Sequence, residues 1–530
     1  MALPSIFDLC TPRDDVRAGN ISESDFAADL AQVLRSEGSL EYRDPAKFFE
    51  FSYPTKGLRT LLTQVCYRLS GDPRQVSSIF RLHTSFGGGK THGLIALVHA
   101  VSSGSTVPNI VEFVDPAILP KGSVNVAGFE GENADALNGH AFPEYGIKAY
   151  TPWGELAIAL AGKEGYERVR ESDEKGSPPG ADTIRELIGD GPCLILVDEL
   201  AVYLRRARKK WPDIDESLAS FLTSLFKAVE SSPRAAIVFT LALGKSSSQS
   251  IDAYGKESET IASFFFEADS IAARKATLID PTDDDETVKV LRRRLFASID
   301  DSKASVVIDA YRTAWERHKG DLLQDEGAAI RAEQFAASYP LHPELIFVLT
   351  RKLSTLATFQ RVRGMLRLLA RTVHLLWKDE QADITAIHSW HINPGDEGVA
   401  NELLVRLNQA QLVPAVKSDV ASRDSSSQAW AQQTDAKEYA GMPRYASMVA
   451  RTVFVHTLAF NPDLQGCKKP ELYYSVLAPG IDLGYLQDAE RRFVENSAYR
   501  DDRPNAPLRF LQDANLTMLK IGRASCRERV

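Results

Sequence analysis

A glycine-rich segment ahead of a Lys-Thr pair carries the strongest chemical signal in this sequence. Apolar residues at Val76–Leu82 predict a strand before it, and Thr91–Val101 predicts a helix after it. Glycines let successive backbone N–H groups point into one concavity, and the amino end of a helix adds partial positive charge. The segment is therefore predicted to bind the phosphates of a nucleotide. Its residues are Thr84, Ser85, Phe86, Gly87, Gly88, Gly89, Lys90 and Thr91.

The end of this segment supplies the groups that a nucleoside triphosphate requires. Lys90 is expected to reach the β- and γ-phosphates of ATP, and the Thr91 hydroxyl is expected to bind Mg²⁺. His92 follows directly and is included among the nucleotide-binding candidates, although packing on the helix explains it as well. Thr84 stands where such loops usually begin with glycine. A glycine-rich turn with an incidental Lys-Thr pair is the alternative interpretation.

Two adjacent carboxylates at the end of an apolar segment form the second motif. Cys193–Val197 predicts a buried strand, and Asp198 and Glu199 follow it, with Asp198 108 residues beyond Lys90. Ligands bind at the carboxyl ends of parallel strands, so both acids are expected to face the phosphates. Asp198 is predicted to hold Mg²⁺, and Glu199 is predicted to polarise the attacking water. A cap on the next helix is the alternative.

A third apolar segment, Ala235–Leu241, predicts another strand and contains a hydroxyl near its end, on Thr240. This hydroxyl is expected to lie between the two motifs and to orient water near the γ-phosphate. A buried threonine that bonds to the local backbone explains the residue equally well.

Short apolar segments alternate with amphipathic ones over residues 71–280, which predicts parallel βαβ crossovers and a sheet covered on both faces. The remaining predicted strands are Ser123–Phe129 and Ala276–Ile279, and two further predicted helices are Trp153–Ala161 and Leu218–Val229. Lys163–Asp182 is polar and contains glycines and prolines, so we expect a surface loop there.

The regions on either side have the 3.6-residue periodicity of helices. Ser22 or Ser24 can cap the first of them, whose apolar positions begin at Phe26. A polar connection is expected at Ser418–Asp435. The predicted helical segments are the one that ends near residue 34, Leu58–Leu69, most of residues 300–380, residues 397–412 and residues 440–459.

Three weaker patterns have a structural explanation as the first choice. Acidic residues 283–286 begin a predicted helix through Leu295, where a cap is favoured over a metal site. His388 and His391 have ligand-like spacing but no cysteine or carboxylate partner, which favours a structural role. The basic residues within 205–210 are expected to cover an exposed helix face, with nucleic-acid phosphate or a neighbouring subunit as the alternative.

Composition limits the class of protein. The chain has 530 residues, 44% of them hydrophobic and 25% charged, which predicts a soluble globular protein with about three or four domains. It contains no apolar segment of the ~20 residues that a membrane helix needs, and from its first residues we expect no secretion signal. Its five cysteines are scattered, which fits a reducing, cytoplasmic location. A net charge of −9 excludes a surface that attracts nucleic acid throughout.

The ordered motifs TSFGGGKTH, LILVDEL and IVFTLAL resemble the Walker A, Walker B and following strand of the AAA+ superfamily. More narrowly, the chain resembles large prokaryotic ATPases of phage-defence islands, akin to those of phage-growth-limitation and BREX systems. SIFDLCTPRDDV, YPTKGLRTLL, LHPELIFVLTRKLSTLATFQRVRGMLRLLA and HINPGD extend this resemblance over most of residues 1–520. It implies an α/β P-loop NTPase core, a helical lid and a continuation beyond the residues present.

The same resemblance implies that arginines complete the site, one from the lid and one from a neighbouring subunit. Arginine can compensate charge on the transferred phosphoryl oxygens. Arg363 is the first candidate, although a solvated or salt-bridged helix residue explains each arginine as well. The other candidates are Arg292, Arg293, Arg294, Arg361 and Arg367.

These inferences give a domain order and a function to test. We expect an N-terminal helical segment at 1–70, an ATPase core at 71–280, a helical lid at 281–380, and a mainly helical, winged-helix-like region at 381–520. Ile521–Val530 resembles a translated sequencing adapter, with a basic tail as the alternative.

The expected function is ATP hydrolysis that drives conformational change in phage defence. Protein partners in a defence complex or further copies of the chain are expected, DNA is a candidate partner, and a membrane is not expected. An ATP-switched scaffold with negligible turnover, a DNA translocase and a small-molecule kinase are the alternatives.

Overall fold

The structure is a computed structural model in which the chain divides into two compact units. One unit comprises Glu23–Thr287, and the other comprises Met1–Ser22 together with Val288–Val530. The residues that the structure describes are 3–19, 28–71, 76–83, 89–241, 260, 276–281, 286–381, 383–424 and 426–515.

The strands of the described residues are β1 Cys10–Pro12, β2 Ile79–His83, β3 Asn125–Glu130, β4 His140–Phe142, β5 Ile147–Ala149, β6 Cys193–Asp198, β7 Ala235–Leu241, β8 Thr277–Ile279 and β9 Phe296–Ile299. The first unit contains a parallel sheet of five of these strands, in the order β3-β6-β7-β2-β8. This confirms the expected parallel sheet, and each strand predicted from an apolar segment is present within it. A second, antiparallel pair is formed by β4 and β5, and β1 pairs with β9 in the other unit.

Alternation along β6 explains why helices cover both faces of the sheet. All six residues of β6 are buried. Leu194 and Leu196 pack with Leu94 of the helix Lys90–Ser103, whereas Ile195 belongs to the opposite apolar cluster. Successive side chains on a strand point to opposite faces, so a strand whose residues before Asp198 are all apolar must be covered on both faces.

Register fixes which side chains meet at the carboxyl end of the sheet. Glu130 is paired with Asp198 across β3 and β6, and Leu82 is paired with Thr240 across β2 and β7. Residues in register on parallel strands point to the same face. Glu130, Asp198 and Thr240 therefore lie at the carboxyl end of the sheet, which is also the end at which the helix Lys90–Ser103 begins.

The expected loop at Lys163–Asp182 is wrong. A helix from Pro152 to Lys175 runs through its first part, with non-helical backbone at Ala161 and Gly162, and a second helix covers Ala181–Ile188. Tyr166 and Val169 bury one face of the continuing helix, while its polar residues lie on the outer face. The polar composition thus reflects a solvated helix face rather than irregular structure.

Helices of the first unit lie before β3 and after it. The predicted helix Leu58–Leu69 is confirmed, and it ends at a left-handed Gly71. Ser22, Ser24 and Phe26 lie outside the described residues. The helix bounds are Leu30–Leu34, Leu40–Arg43, Pro45–Phe51, Lys56–Ser70, Lys90–Ser103, Pro152–Lys175, Ala181–Ile188, Leu200–Ala207 and Ile214–Ser231, with 3₁₀ turns at Gly104–Thr106, Ile110–Glu112 and Pro116–Ile118.

The acidic residues near 285 have a structural role where they are described. Asp283, Asp284 and Asp285 lie outside the described residues. Both carboxylate oxygens of Glu286 accept from the backbone N–H of Lys56, each at 3.1 Å. Glu286 therefore caps the helix Lys56–Ser70, a different helix from the one that the sequence suggested.

The second unit is mainly helical in its described residues, as expected. The expected connection at Ser418–Asp435 is helical at both ends, and the described residues between these ends are irregular. Ile521–Val530 lies outside the described residues. The α-helix bounds are Ile6–Leu9, Asp14–Ala18, Thr287–Leu295, Asp301–Arg317, Ala328–Ser338, Pro343–Phe347, Arg361–Asp379, Glu397–Ala400, Val413–Ala415, Trp430–Glu438, Tyr445–Thr457, Lys469–Val476 and Leu483–Asn496.

Shorter helical turns interrupt or extend these α-helices. The segment expected as one helix at 397–412 is divided in this way. Across the described part of the chain, we find no helix with the length and apolar character to cross a bilayer. The π-helical and 3₁₀ turns of the second unit are Val348–Lys352, Leu353–Thr355, Ala357–Phe359, Ser389–His391, Asn401–Val405, Ala410–Leu412, Val416–Val420 and Pro462–Leu464.

Candidate functional site

Of the glycine-rich segment, the structure describes Gly89, Lys90 and Thr91. Thr84, Ser85, Phe86, Gly87 and Gly88 lie outside the described residues. Gly89 has φ 82° and ψ 18° and is the N-cap residue of the helix Lys90–Ser103. Glycine adopts this left-handed conformation without steric cost, so the chain turns sharply into the helix at this point.

Asp198 is the centre of the described site. Its carboxylate is fully buried. The Thr91 hydroxyl donates to Asp198 Oδ2 at 2.7 Å, and the backbone N–H of Glu199 donates to Asp198 Oδ1 at 3.0 Å. The Thr240 hydroxyl also donates to Oδ1. The fold thus brings together three of the predicted side chains, from the start of one helix and the ends of two adjacent strands.

Glu199 has strained backbone geometry. Its φ is 50° and its ψ is 36°, a left-handed conformation that non-glycine residues adopt at a cost of about 1–3 kcal/mol. It is the N-cap residue of the helix Leu200–Ala207, yet its side chain makes no capping hydrogen bond. Helix capping therefore does not explain the glutamate at this position. Residues with strained backbone cluster at functional sites, which favours a functional role for Glu199.

Lys90 and His92 differ in their surroundings. Lys90 is buried, 7% exposed, at the first position of its helix. His92 Nε2 lies 2.9 Å from Ser52 Oγ, and the imidazole packs 4.5 Å from the Phe48 ring. Burial lowers the pKa of His92 to about 4, so the ring is neutral. His92 thus packs against the helix Pro45–Phe51, whereas Thr91 faces Asp198.

Sequence reasoning missed Glu130, the last residue of β3. Its side chain is 8% exposed, and Glu130 Oε2 accepts from the Ala31 backbone N–H at 3.0 Å and from Asn133 Nδ2 at 2.9 Å. Burial, with Asp29 and Asp198 nearby, raises the pKa of Glu130 to about 8. An acid directly after a predicted apolar strand was the available signal.

The candidate arginines belong to the second unit. Arg367 is buried and donates from Nε to Glu402 at 3.0 Å, and Arg294 pairs with Asp15 at 2.8 Å. Arg292 pairs with Asp301. These contacts hold the unit together. Arg361 and Arg363 lie in the first turn of the helix Arg361–Asp379, and no described residue forms an ion pair with Arg363. Arg293 follows Arg292 on the helix Thr287–Leu295.

Internal contacts engage much of the basic segment after Glu199. Arg206 donates to the carbonyl oxygens of Glu132 and Ala134. Arg208 forms a two-point pair with Asp215, at 2.8 Å and 2.7 Å. The Lys210 ammonium lies 3.6 Å from the centroid of the Tyr150 ring. These contacts favour a structural role for these three cations.

The two histidines with ligand-like spacing are buried in the second unit. His388 Nε2 lies 2.8 Å from the Tyr311 hydroxyl, and His388 Nδ1 lies 2.7 Å from the Ser475 carbonyl oxygen. His391 Nδ1 accepts from the His388 backbone N–H at 2.8 Å. These bonds agree with the structural role that was expected for the pair.

Comparison with known proteins places both parts of the chain in one family. Residues 7–265 match the family model of the DUF499 N-terminal domain, and residues 282–473 match that of the DUF499 second domain. No curated protein and no solved structure matches the chain. The first match contains Thr91, Asp198, Glu199 and Thr240, and the second contains Arg363. The chain therefore carries the N-terminal and second domains of DUF499, in that order.

Proposed function

We propose that the chain binds ATP with Mg²⁺ and hydrolyses it at the carboxyl end of the parallel sheet. One observation carries this proposal: the Thr91 hydroxyl lies 2.7 Å from Asp198 Oδ2. A hydroxyl in the first turn after a glycine-rich segment and an acid at a neighbouring strand end are the groups that nucleotide-bound magnesium uses. Their convergence requires the fold, because the two residues lie far apart in the sequence.

The oxygen atoms of Thr91 and Asp198 fit a magnesium ion. Mg²⁺ prefers oxygen ligands and is usually held by one or two carboxylates together with phosphates and water. Among the described residues, no three His, Cys, Asp or Glu side chains form a metal-binding cluster. A nucleotide-bound ion needs no such cluster. When bound, the ion would neutralise part of the charge on the phosphates.

The remaining residues divide into phosphate-binding, water-activating and positioning groups. Lys90 and the amino end of its helix stabilise the negative phosphates. Glu199 orients the attacking water and accepts its proton. Thr240 donates to Asp198, which supports a role in orienting that carboxylate rather than the water. A role for Arg363 in compensating charge on the transferred phosphoryl group stays a prediction from the sequence resemblance.

Phosphate release by the purified chain tests this proposal, together with ATP binding measured by calorimetry. Lys90→Ala should lose ATP affinity. Glu199→Gln should keep ATP affinity and lose turnover by roughly 10²–10⁴-fold, because the general base is removed. Lys209→Ala, which changes an exposed cation outside the site, is the matched control. Wild-type turnover in Glu199→Gln would contradict the assignment, and binding with negligible wild-type turnover would favour an ATP-switched scaffold.

We also propose, from the sequence resemblance, that this ATPase belongs to the AAA+ class and acts in phage defence with DNA or a DNA-modifying complex. The internal contacts of Arg206, Arg208 and Lys210 give no support to DNA binding by that segment. ATP hydrolysis with and without DNA, over a range of salt concentrations, tests this part. Stimulation that falls steeply with salt favours a translocase, and no stimulation contradicts a direct action on DNA.

A further inference from the structure

The backbone of Glu199 is in contact with a second segment, residues 130–134, which we term the edge loop. The Gly131 N–H donates to the Asp198 carbonyl oxygen at 2.9 Å. A Cβ atom at Gly131 would lie 2.1 Å from the Glu199 carbonyl oxygen and 3.1 Å from Tyr203 Cβ. Only glycine permits this approach, so the position of the edge loop determines where the Glu199 backbone can lie.

Glu130 ties the edge loop to the helix Leu30–Leu34. One oxygen of its buried carboxyl group accepts from the Ala31 N–H at 3.0 Å and from Asn133 Nδ2 at 2.9 Å. The two donors belong to the helix and to the edge loop. Removing this acceptor would leave the Ala31 and Asn133 donors without this bond and would free the loop on that side.

The same helix is fitted closely to β3. A Cβ atom at Gly128 would lie 2.2 Å from Leu34 Cδ1, so the Leu34 side chain occupies the space that a side chain at position 128 would need. Gly128 is paired with Leu196 on β6, two residues before Asp198. The helix therefore rests on the strand whose end leads into the edge loop.

A second contact holds the edge loop further along the chain. Arg206 Nη1 donates to the carbonyl oxygens of Glu132 and Ala134. Arg206 lies on the helix Leu200–Ala207, which begins directly after Glu199. Glu130 thus holds the edge loop at its start, and Arg206 holds it further along. Gly131, which lies between these two contacts, is next to the Glu199 backbone.

We propose that Glu130 is a positioning residue for Glu199, acting through the edge loop and making the geometry of Glu199 depend on the helix Leu30–Leu34. The proposal rests on the proposed ATP hydrolysis and deepens it. Anything that displaces this helix would lower turnover while the phosphate-binding groups around Lys90 stay in place. Glu130 itself touches no reacting atom.

Three variants of the full chain test this proposal: Glu130→Ala, Glu130→Gln and the control Glu132→Ala. In Glu130→Ala, kcat should fall on the order of 10-fold to 100-fold, as expected when a catalytic group is misplaced by about 1 Å. The dissociation constant for ATP should change less than about threefold, since Lys90 and the amino end of its helix, which bind the phosphates, are not altered. Glutamine keeps an oxygen acceptor of the same length, so Glu130→Gln should retain most of the wild-type kcat. The exposed Glu132 side chain should be dispensable.

Hydrogen exchange measured on the same variants provides a readout that does not depend on turnover. Glu130→Ala should speed exchange in residues 30–34, in residues 130–134 and at Glu199, while exchange in the helix Ile214–Ser231 should match the wild type. An unchanged kcat in Glu130→Ala, or a kcat in Glu130→Gln as low as that of the alanine variant, would overturn the proposal. Unchanged exchange at Glu199 would also overturn it. An inactive wild-type chain would instead contradict the proposed function, and the exchange measurement would still test the coupling.

Discussion

Gly131→Ala is the perturbation whose effect can be worked out most directly from the structure. The added Cβ would lie 2.1 Å from the Glu199 carbonyl oxygen, whereas real Cβ contacts essentially never fall under 3.0 Å. The two groups must therefore separate by at least about 0.9 Å, the difference between these distances. The atom that the Cβ meets belongs to the backbone, so no side-chain rotation can relieve the clash.

A shift of this size should be costly for catalysis. Misplacing a catalytic group by about 1 Å can cost roughly 10²-fold in rate, equivalent to about 2.7 kcal/mol of activation free energy. We expect kcat for ATP hydrolysis to fall by about that factor, with little change in the ATP dissociation constant. Overpacking should also lower the free energy of unfolding by about 1–3 kcal/mol.

The assay compares kcat, ATP affinity and urea unfolding for Gly131→Ala and a matched control. Gly191→Ala is suitable, because a Cβ at Gly191 would meet nothing within 4 Å and lies in the same unit. The control should resemble the wild type in all three measurements. Wild-type kcat in folded Gly131→Ala would refute the inference that the edge loop fixes the Glu199 backbone.

Three further predictions concern stability. Burial lowers the pKa of His388 to about 4 from the ordinary 6.5, so the unfolded chain binds its proton first as pH falls, and the free energy of unfolding should decrease from pH 6.5 to pH 4 by up to about 3 kcal/mol for this group. Glu402→Ala should lower the free energy of unfolding by roughly 3–5 kcal/mol, because it leaves the buried guanidinium of Arg367, now 3.0 Å from Glu402, without its carboxylate. Asp173→Ala should cost on the order of 2–4 kcal/mol, because the Thr151 N–H and hydroxyl lose a buried acceptor. Urea unfolding at pH 7 checks the last two predictions, and unfolding across pH checks the first.

A conservative variant at each of the three positions serves as the matched control for these stability measurements. His388→Gln should flatten the acid-dependent slope, and an identical slope in variant and wild type would show that this histidine is not responsible. Glu402→Gln keeps an oxygen acceptor and should be milder than Glu402→Ala. Asp173→Asn should likewise be milder than Asp173→Ala. If the conservative variant at either position lost as much free energy of unfolding as the alanine variant, the hydrogen-bonding argument would be contradicted.

The sequence was sufficient for the parts of the site that lie at the ends of regular elements. The residues of β6 before Asp198 are all apolar and both faces of the strand are covered, and a strand of this kind can be recognised without knowing its neighbours. Asp198 could be predicted as a site residue because it ends that strand. Thr91 could be predicted because it lies at the start of the helix after Gly89. Strand polarity therefore predicted that Asp198 faces the ligand-binding end of the sheet, whereas its hydrogen bond to Thr91 is seen only in the fold.

Features that depend on tertiary packing could not be predicted. The helix through Tyr166 was missed because its solvated face dominates the local composition. Glu130 directly follows a predicted strand, as Asp198 does, but its contact with Ala31, 99 positions away, is seen only in the fold. The left-handed backbone of Glu199 has no signature in the residue type, and the close approach of its carbonyl oxygen to Gly131 is seen only in the fold.

The roles of the candidate arginines in the second unit also could not be predicted from the sequence. Arg363 and Arg367 lie one turn apart on the same helix, and the sequence offers no basis for separating their roles. Only the fold shows that Arg367 is engaged by Glu402. An ion pair across 35 positions depends on the packing of two segments, which local periodicity does not encode.

Calorimetric titration of ATP, with and without Mg²⁺, into the wild-type chain and Asp198→Asn tests the central claim most directly. The account predicts that Mg²⁺ strengthens ATP binding to the wild type and that Asp198→Asn removes this enhancement while the variant stays folded. Absence of ATP binding by the folded wild type, or an equal Mg²⁺ enhancement in both proteins, would contradict the claim that Thr91 and Asp198 form the magnesium–nucleotide site.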